Sequence, residues 1–372
     1  MFDFLIVGAG FSGCVLAERI ATELDKRVLI VERRNHIGGN AYDEYDEHGV
    51  LVHRYGPHIF HTNSKKVWGY LSRFTAWRPY YHHVLGVVDG KKVPLPFNLN
   101  TLYALFPPRY AAALEGLLLE HHGLGSKVPI LKLCESPIGE LRTLADYIYR
   151  NIFAGYTFKQ WGLKPEELDS AVTARVPVHI SRDDRYFQDT YQAMPARGYS
   201  ELFRRMCAHP KIKLLLNADY REVVDEVRFD RLIYTGPIDA FFDYLHGPLP
   251  YRSLRFEFTT LDREWHQEVG TVNYPNEYDF TRIAEQKHLS GQTLPKTTLV
   301  AEYPQSYVPG ENEPYYPVPH EESRETYGKY RREVEQLGGR ALFVGRLADY
   351  KYYNMDQVVA RALKVFEDEV AE

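Results

Sequence analysis

Cysteine is scarce in this 372-residue chain, and the three present, Cys14, Cys134 and Cys207, are odd in number and scattered. That pattern excludes a disulfide framework and a thiolate metal site, and points to reduced thiols in a cytosolic setting. No apolar run approaches the ~18 residues of a membrane-spanning helix. No basic-then-apolar leader precedes the first strand, so the chain is expected to be cytoplasmic and without a membrane span. Charge of one sign is also missing in bulk: 45 Lys and Arg stand against 50 Asp and Glu, a net of −5. This balance argues against a nucleic-acid partner, and an anionic ligand has to be met by locally placed arginines. Internal repeats and low-complexity tracts are absent. What is plentiful is tyrosine, 29 residues within an aromatic share of 14%, which favours polar-edged aromatic surfaces such as ligand clefts.

The length predicts two or three domains. The apolar run Phe4-Leu5-Ile6-Val7 leads directly into Gly8-Ala9-Gly10-Phe11-Ser12-Gly13, and a second apolar run, Val28–Val31, is closed by Glu32. This is the layout of strand, glycine-rich turn, helix and strand that holds a dinucleotide, with an acid about 20 residues on for the ribose. Gly8 allows the tight turn, Gly10 lets backbone N–H groups approach a pyrophosphate, and Gly13 lets the helix pack closely on the strand. The anion then rests on the helix N-terminus. Glu32 argues for a free ribose 2′-hydroxyl, as in FAD or NAD, although Arg33 and Arg34 follow it. The loop Arg33-Arg34-Asn35-His36-Ile37-Gly38-Gly39-Asn40-Ala41 carries two adjacent glycines beside the same ligand.

Further along, Val84–Val88, Asp89-Gly90 and Lys91–Leu95 read as a hairpin. From about 98 to 180 the pattern is helical, with Asn98 and Asn100 as candidate N-caps and apolar stretches over Tyr110–His122 and Leu141–Phe153. Strand character returns at Lys213–Leu216 and Arg231–Tyr234. Alternating segments that include Leu254–Phe258 and Thr298–Glu302 predict an antiparallel sheet. Ala341–Gly345 is a buried strand ending in glycine, and Met355–Val370 is a closing helix. The expected class is α/β: a Rossmann-like nucleotide domain assembled from both termini (1–79, 197–244 and 321–372), an inserted helical domain (98–185) and an antiparallel β-sheet domain (80–97, 186–196 and 245–320).

The glycine-rich start, Ile37-Gly38-Gly39-Asn40 and Tyr55-Gly56-Pro57-His58-Ile59-Phe60-His61 together resemble bacterial UDP-galactopyranose mutases. The likeness continues through Gly155-Tyr156-Thr157-Phe158-Lys159-Gln160-Trp161-Gly162, Arg182-Asp183-Asp184-Arg185-Tyr186-Phe187, Pro314-Tyr315-Tyr316-Pro317-Val318 and Gly345-Arg346-Leu347, and so spans the whole chain in order. The resemblance implies a flavin-dependent isomerase that interconverts UDP-galactopyranose and UDP-galactofuranose without net redox change, in surface-glycan synthesis. FAD must be reduced, because N5 attacks the anomeric carbon as UDP departs. It further implies an external reductant such as NAD(P)H and a homodimer.

The resemblance also implies residue roles. Arg175 is the arginine of a mobile loop that clamps the diphosphate with a planar fork of donors. Arg282 is the second diphosphate cation; its plainer reading is a cross-strand partner to Glu285 or Glu302. Arg252 lies near flavin or substrate. Tyr156, Thr157 and Trp161 line the uridine pocket, although composition alone fits core packing equally well. Tyr186, Tyr316 and Tyr352 contact the diphosphate, and Phe187 and Asn273 join the substrate set. His58, aimed by Gly56-Pro57, faces the isoalloxazine together with Ile59; His53 and His61 do not complete a metal set with it. Phe11, Ser12, Arg33, Asn40, Arg346, Tyr352 and Met355 join the glycines and Glu32 around FAD. Asn354 belongs to the substrate set as well and is the one departure, since many bacterial relatives carry Asp there. Two other classes share parts of this pattern: a flavin-dependent amine or polyene oxidase, which needs an apolar tunnel, and a non-catalytic relative of Rab GDP-dissociation inhibitors, which can dispense with flavin. A glycosyltransferase shares the UDP-sugar but has no use for FAD.

Overall fold

The structure is a computed structural model that describes residues 1–167, 177–318 and 320–371. It divides into two compact units: Met1–Tyr80, Asp189–Ser253 and Ser306–Glu372 form the first, and Tyr81–Gln188 with Leu254–Gln305 the second.

The first unit is built on a five-stranded parallel sheet in the order Ile212–Leu216, Val28–Glu32, Phe2–Val7, Phe229–Tyr234, Ala341–Phe343. Near-continuous apolar runs suit strands covered on both faces, and Leu5, Ile6, Val28 and Ile30 are fully buried. The helix Phe11–Glu23 crosses between the first two strands and packs against the closing helix Met355–Val365. Phe2–Val7 is central, with the next strand in sequence on one side and Phe229–Tyr234 on the other, so the order reverses there. Such a switch point leaves a crevice at the strands' carboxyl ends. The regular α-helical part of the closing helix is shorter than its apolar pattern: after Val365 the chain widens into a π-helical turn, Phe366–Val370. Tyr191–Pro195, which the sequence places with the sheet domain, pairs instead with Phe60–Thr62 and Trp77–Pro79 in the first unit. A row of stacked rings, Trp77, Trp68 and Tyr191, backs that pairing.

In the second unit the hairpin forms as expected, Val84–Val88 against Lys91–Leu95. Asp89 and Gly90 both take positive φ, 50° and 72°, the two-residue turn whose twist matches paired strands. One core joins the hairpin to the helices: Val84, Val88, Val93 and Leu95 are buried with Leu102, Leu114, Leu144 and Ile148. The helical and sheet segments that the sequence separates therefore form one unit, because each buries the other's apolar face. Asn98 caps Leu99–Leu105, accepting from the N–H groups of Asn100 and Thr101. Asn100 does not cap; it sits inside the helix and donates to Arg182 and Asp184.

Within the second unit the sheet runs 254–261, 297–305, Arg282–Glu285, Thr271–Asn273, Val84–Val88, Lys91–Leu95. It is mixed rather than antiparallel, since Thr271–Asn273 runs parallel to Val84–Gly86. Strands so distant in sequence are not joined by a tight turn, so either direction is open to them.

Glu285 is fully buried in this unit. Burial alone would raise its pKa, but the His288 ring, the Thr297 hydroxyl and the N–H groups of Gln267 and His266 bring it down to about 2. A folded pKa below the ordinary 4.5 makes its stabilisation complete above that pH and lost as pH falls from there towards 2. We expect Tm to drop across this window, and Glu285→Gln to flatten the drop while lowering Tm at neutral pH. An unchanged acid profile in the variant would show that other carboxylates govern acid unfolding.

Candidate active site

A cleft opens at the carboxyl ends of the parallel strands, entirely within the first unit. The turn after Phe2–Val7 forms its floor. Gly8 has φ +100°, and a Cβ there would lie 2.2 Å from Thr235 Oγ1. A Cβ on Gly13 would lie 2.0 Å from the Gly8 carbonyl oxygen, so the helix can sit this close only with glycine at that position. Gly10, the N-cap, has no side chain to occupy the helix's first N–H groups, and Gly10, Phe11 and Ser12 line the cleft. These features leave a helix N-terminus directed at space that suits an anion. Gly38 and Gly39 close the other wall, with Gly39 so near that its Cβ would meet Gly10 Cα at 3.0 Å.

Glu32 is buried and uses both carboxylate oxygens, accepting from Ala9 N–H and from Arg34 N–H, each at 2.9 Å. It ties the glycine turn to the end of the second strand, and each oxygen keeps a lone pair for a ribose hydroxyl. Arg33 and Arg34 both bond Glu313, the latter at 2.9 Å. Arg34 also donates to Asn40 Oδ1 at 3.0 Å and lies 4.4 Å over the Tyr55 ring. A carboxylate that already neutralises two guanidiniums disfavours a 2′-phosphate there, in keeping with a free 2′-hydroxyl. The residues present thus fit a dinucleotide of the FAD or NAD type.

His58 lines the cleft as well. Its Nδ1–H donates to Gly56 O at 2.8 Å, since a carbonyl only accepts, and this leaves Nε2 as the acceptor of the neutral ring. Its backbone N–H donates to His53 Nδ1 at 3.0 Å. Burial pulls the pKa of His53 down to about 4, so that ring stays neutral and fit to accept.

Arg346 follows the last strand and also lines the cleft. It donates to Tyr353 O at 2.7 Å and lies against the rings of Tyr316 and Tyr352, which pack edge to face with centroids 5.1 Å apart. Asn354 is the N-cap of Met355–Val365, and its N–H donates to Gln357 Oε1 at 2.9 Å. Its amide therefore serves a position where Asn and Asp cap about equally well. Met355, one residue on, faces the cleft.

Of the cofactor residues expected from sequence, Gly8, Gly10, Phe11, Ser12, Glu32, Arg33, Gly38, Gly39, Asn40, His58, Arg346 and Met355 line this cleft. Gly13 lies behind it; Ile59, Arg252 and Tyr352 are half-buried outside its lining. Thr235 and Gly236, directly after Phe229–Tyr234, were missed, as were Tyr307 and Glu313. The position of Thr235-Gly236 at a strand's carboxyl end is a readable signal; nothing local marks Glu313.

Tyr156, Thr157, Trp161, Tyr186, Phe187, Asn273 and Arg282 belong to the second unit. Tyr156, Thr157 and Trp161 share the helix Gly155–Trp161, with Trp161 buried. Tyr186 and Phe187 pack edge to face, 5.0 Å between centroids. Asn273, Arg282 and Glu302 are direct cross-strand neighbours in one row. Arg282 donates through Nε and Nη2 to Glu302 Oε2 at 3.0 and 2.8 Å. Its plainer reading is thus present with Glu302, whereas Glu285 is engaged elsewhere. Asn273 Oδ1 and Glu302 Oε1 are buried acceptors with no hydrogen-bond partner among the described residues. Arg175 lies outside the described residues.

The parallel sheet, its switch point and the glycine-lined cleft define a Rossmann-type dinucleotide-binding protein. The profile of the NAD(P)-binding Rossmann-like domain matches residues 6–74, and that of UDP-galactopyranose mutase matches residues 151–352. A probable UDP-galactopyranose mutase of Klebsiella pneumoniae is 37% identical, covering 98% of this chain and 94% of its own. A dTDP-fucopyranose mutase of Escherichia coli is 33% identical, covering 98% and 97%. A crystal structure of reduced UDP-galactopyranose mutase shares the fold, with a TM-score of 0.71 at 16% identity over 99% of this chain and 93% of that one. The chain belongs to the UDP-galactopyranose mutase family, and it is a flavin-dependent mutase, an isomerase.

Two outcomes test this geometry. Gly13→Ala forces the helix off the turn, and we expect a colourless protein where the native one is yellow; full flavin content in the variant would disprove the close approach. Asn354→Asp preserves the cap, so kcat should stay within about threefold and stability within about 0.5 kcal/mol. A large rise in kcat would mean that the native asparagine limits turnover.

Proposed function

We propose that the enzyme interconverts UDP-galactopyranose and UDP-galactofuranose, with FAD as its flavin and active only when that flavin is reduced. We further propose an external reductant such as NAD(P)H, a homodimeric assembly and a cytoplasmic location. Among the described residues, no helix is long and apolar enough to cross a membrane.

The observation that carries the reading is the row Asn273–Arg282–Glu302. A guanidinium suits diphosphate, and the two buried acceptors beside it, Asn273 Oδ1 and Glu302 Oε1, suit the hydroxyls of a sugar. A buried acceptor left unpaired costs about 1–3 kcal/mol, so a hydroxyl donor recovers that energy on binding. An apolar amine or polyene has neither phosphate nor enough hydroxyls to do this.

Reduced FAD, when bound, supplies a nucleophilic N5 for the anomeric carbon, so the ring can reopen and close without net redox change. The chain's residues do the rest. Gly10, Phe11 and Ser12 present the helix N-terminus to the cofactor's pyrophosphate, and Glu32 takes the adenosine ribose. His58, locked as the Nδ1–H tautomer by Gly56, offers an acceptor at Nε2 for a flavin N–H. Arg282 meets the charge that develops on the departing diphosphate, the term that usually dominates such catalysis. Glu302 keeps that guanidinium in plane. On resemblance alone, Tyr156, Thr157 and Trp161 are assigned to the base, Tyr186 and Phe187 to the substrate, and, in the first unit, Tyr316 and Tyr352 to diphosphate. Arg175 is assigned to the mobile-loop diphosphate clamp on resemblance alone.

The E. coli relative raises a second reading, the same ring contraction on a dTDP-linked 6-deoxy sugar. One anaerobic assay decides. UDP-galactofuranose and dTDP-fucofuranose are incubated separately with the enzyme, with and without dithionite, and products are separated by HPLC. Conversion of the UDP-sugar only in the reduced sample is expected. Conversion of the dTDP-sugar alone would reassign the substrate, and no conversion of either with fully reduced flavin would overturn the mutase assignment.

A further inference from the structure

The motif Gly155-Tyr156-Thr157-Phe158-Lys159-Gln160-Trp161 has roles for its aromatic residues and threonine but none for Lys159 or Gly155. Lys159 is half-buried on the helix Gly155–Trp161. Its Nζ donates to three backbone carbonyls of one loop: Tyr274 O at 2.8 Å, Glu277 O at 2.8 Å and Phe280 O at 3.5 Å. An ammonium has three donors, and here a single loop converges three carbonyls on it.

That loop joins the strand ending at Asn273 to the strand beginning at Arg282. Its base is closed by Tyr274 N–H donating to Thr281 O at 2.8 Å, so Asn273 and Arg282 flank the closure and face each other across it. Two further ties hold the same helix and loop together. A Cβ on Gly155 would lie 2.6 Å from both Pro275 O and Asn276 Oδ1, so only glycine lets the helix start this close. Asn276 Nδ2 donates to Asn151 O at 2.9 Å, one turn before the helix. All of these residues lie in the second unit.

We infer that Lys159 is a positioning residue: through the 274–280 loop it sets Asn273 and Arg282 relative to the base-binding face of Tyr156 and Trp161. The physical reason is convergence. Three inward-pointing carbonyls repel one another unless a cation sits among them, and charge-assisted bonds to such a cation are roughly twice as strong as neutral ones. Without it the loop splays, and Arg282 no longer sits at a set distance from the helix that holds the base. Nucleoside and diphosphate are recognised from two elements, so their spacing decides whether one ligand can satisfy both. This inference rests on the mutase reading, in which Arg282 meets the diphosphate and Trp161 the base.

The test measures UDP and UMP affinities of the flavin-loaded enzyme by titration calorimetry, for native protein, Lys159→Met and Lys159→Arg. UMP lacks the second phosphate, so the ratio of the two constants reports the alignment of Arg282 with the base. We expect Lys159→Met to weaken UDP about tenfold and UMP less than threefold, and Lys159→Arg to restore most of the ratio. Uniform loss of overall stability would weaken both ligands equally, and that result, or unchanged UDP binding, overturns the inference. If Lys159→Met does not fold, Asn276→Ala removes a lighter tie at the same junction. It should then lower the UDP-to-UMP preference about threefold, and an unchanged preference overturns the inference. Failure of the native enzyme to bind UDP would overturn the mutase reading and the inference with it, an outcome distinct from loss of the effect in the variants alone.

Discussion

The approach of Gly13 to the Gly8 carbonyl is the constraint on which the cofactor site depends. It lets the helix Phe11–Glu23 begin immediately over the first strand, at the switch point of the parallel sheet. Because Gly10 offers no capping side chain, the helix's first N–H groups are reserved for a ligand. Glu32 then fixes the turn from the far side through the Ala9 N–H. Moving any of these by a methyl group would either fill the anion site or tilt the helix away from it.

A protein of net charge −5 has to place cations for an anionic ligand individually, and each is held differently. Arg33 and Arg34 share Glu313, which spares the ribose pocket an uncompensated pair of charges. Arg346 is held by backbone carbonyls and tyrosine rings, which orient it without cancelling its charge. Arg282 is held by one oxygen of Glu302. Lys159 serves the same economy at one remove, as a cation spent on loop carbonyls so that Arg282 is correctly placed.

Local chemistry accounts for what was legible. The hairpin at 84–95 reads correctly because Asp-Gly meets the positive φ that its turn requires. The strand–turn–helix at the start reads correctly because Gly13 answers a local contact, with the Gly8 carbonyl five residues before it. Asn98 and Asn100 show the limit: both are cap-type residues two positions apart, and only the acceptance of the Asn100 and Thr101 N–H groups by Asn98 Oδ1 shows which one is the cap. The pairing of Tyr191–Pro195 with Phe60–Thr62 was equally unreadable, since the ladder partners lie about 130 residues apart. The parallel run of Thr271–Asn273 beside Val84–Gly86 was hidden for the same reason.

By itself the sequence determined the glycine-rich turn, the acid that closes the second strand, the apolar strands around them and the chain's likeness to a family of mutases. These are properties of short segments, in which spacing along the chain equals spacing in space. Only the tertiary structure decided that Glu313 neutralises Arg33 and Arg34, that Asn354 is a helix cap, and that Asn273, Arg282 and Glu302 stand in one row. It alone gave Lys159 a place among three carbonyls. Each of these is a meeting of residues set side by side by strand register and helix packing, and burial decides those over the whole unit rather than within any window of the chain.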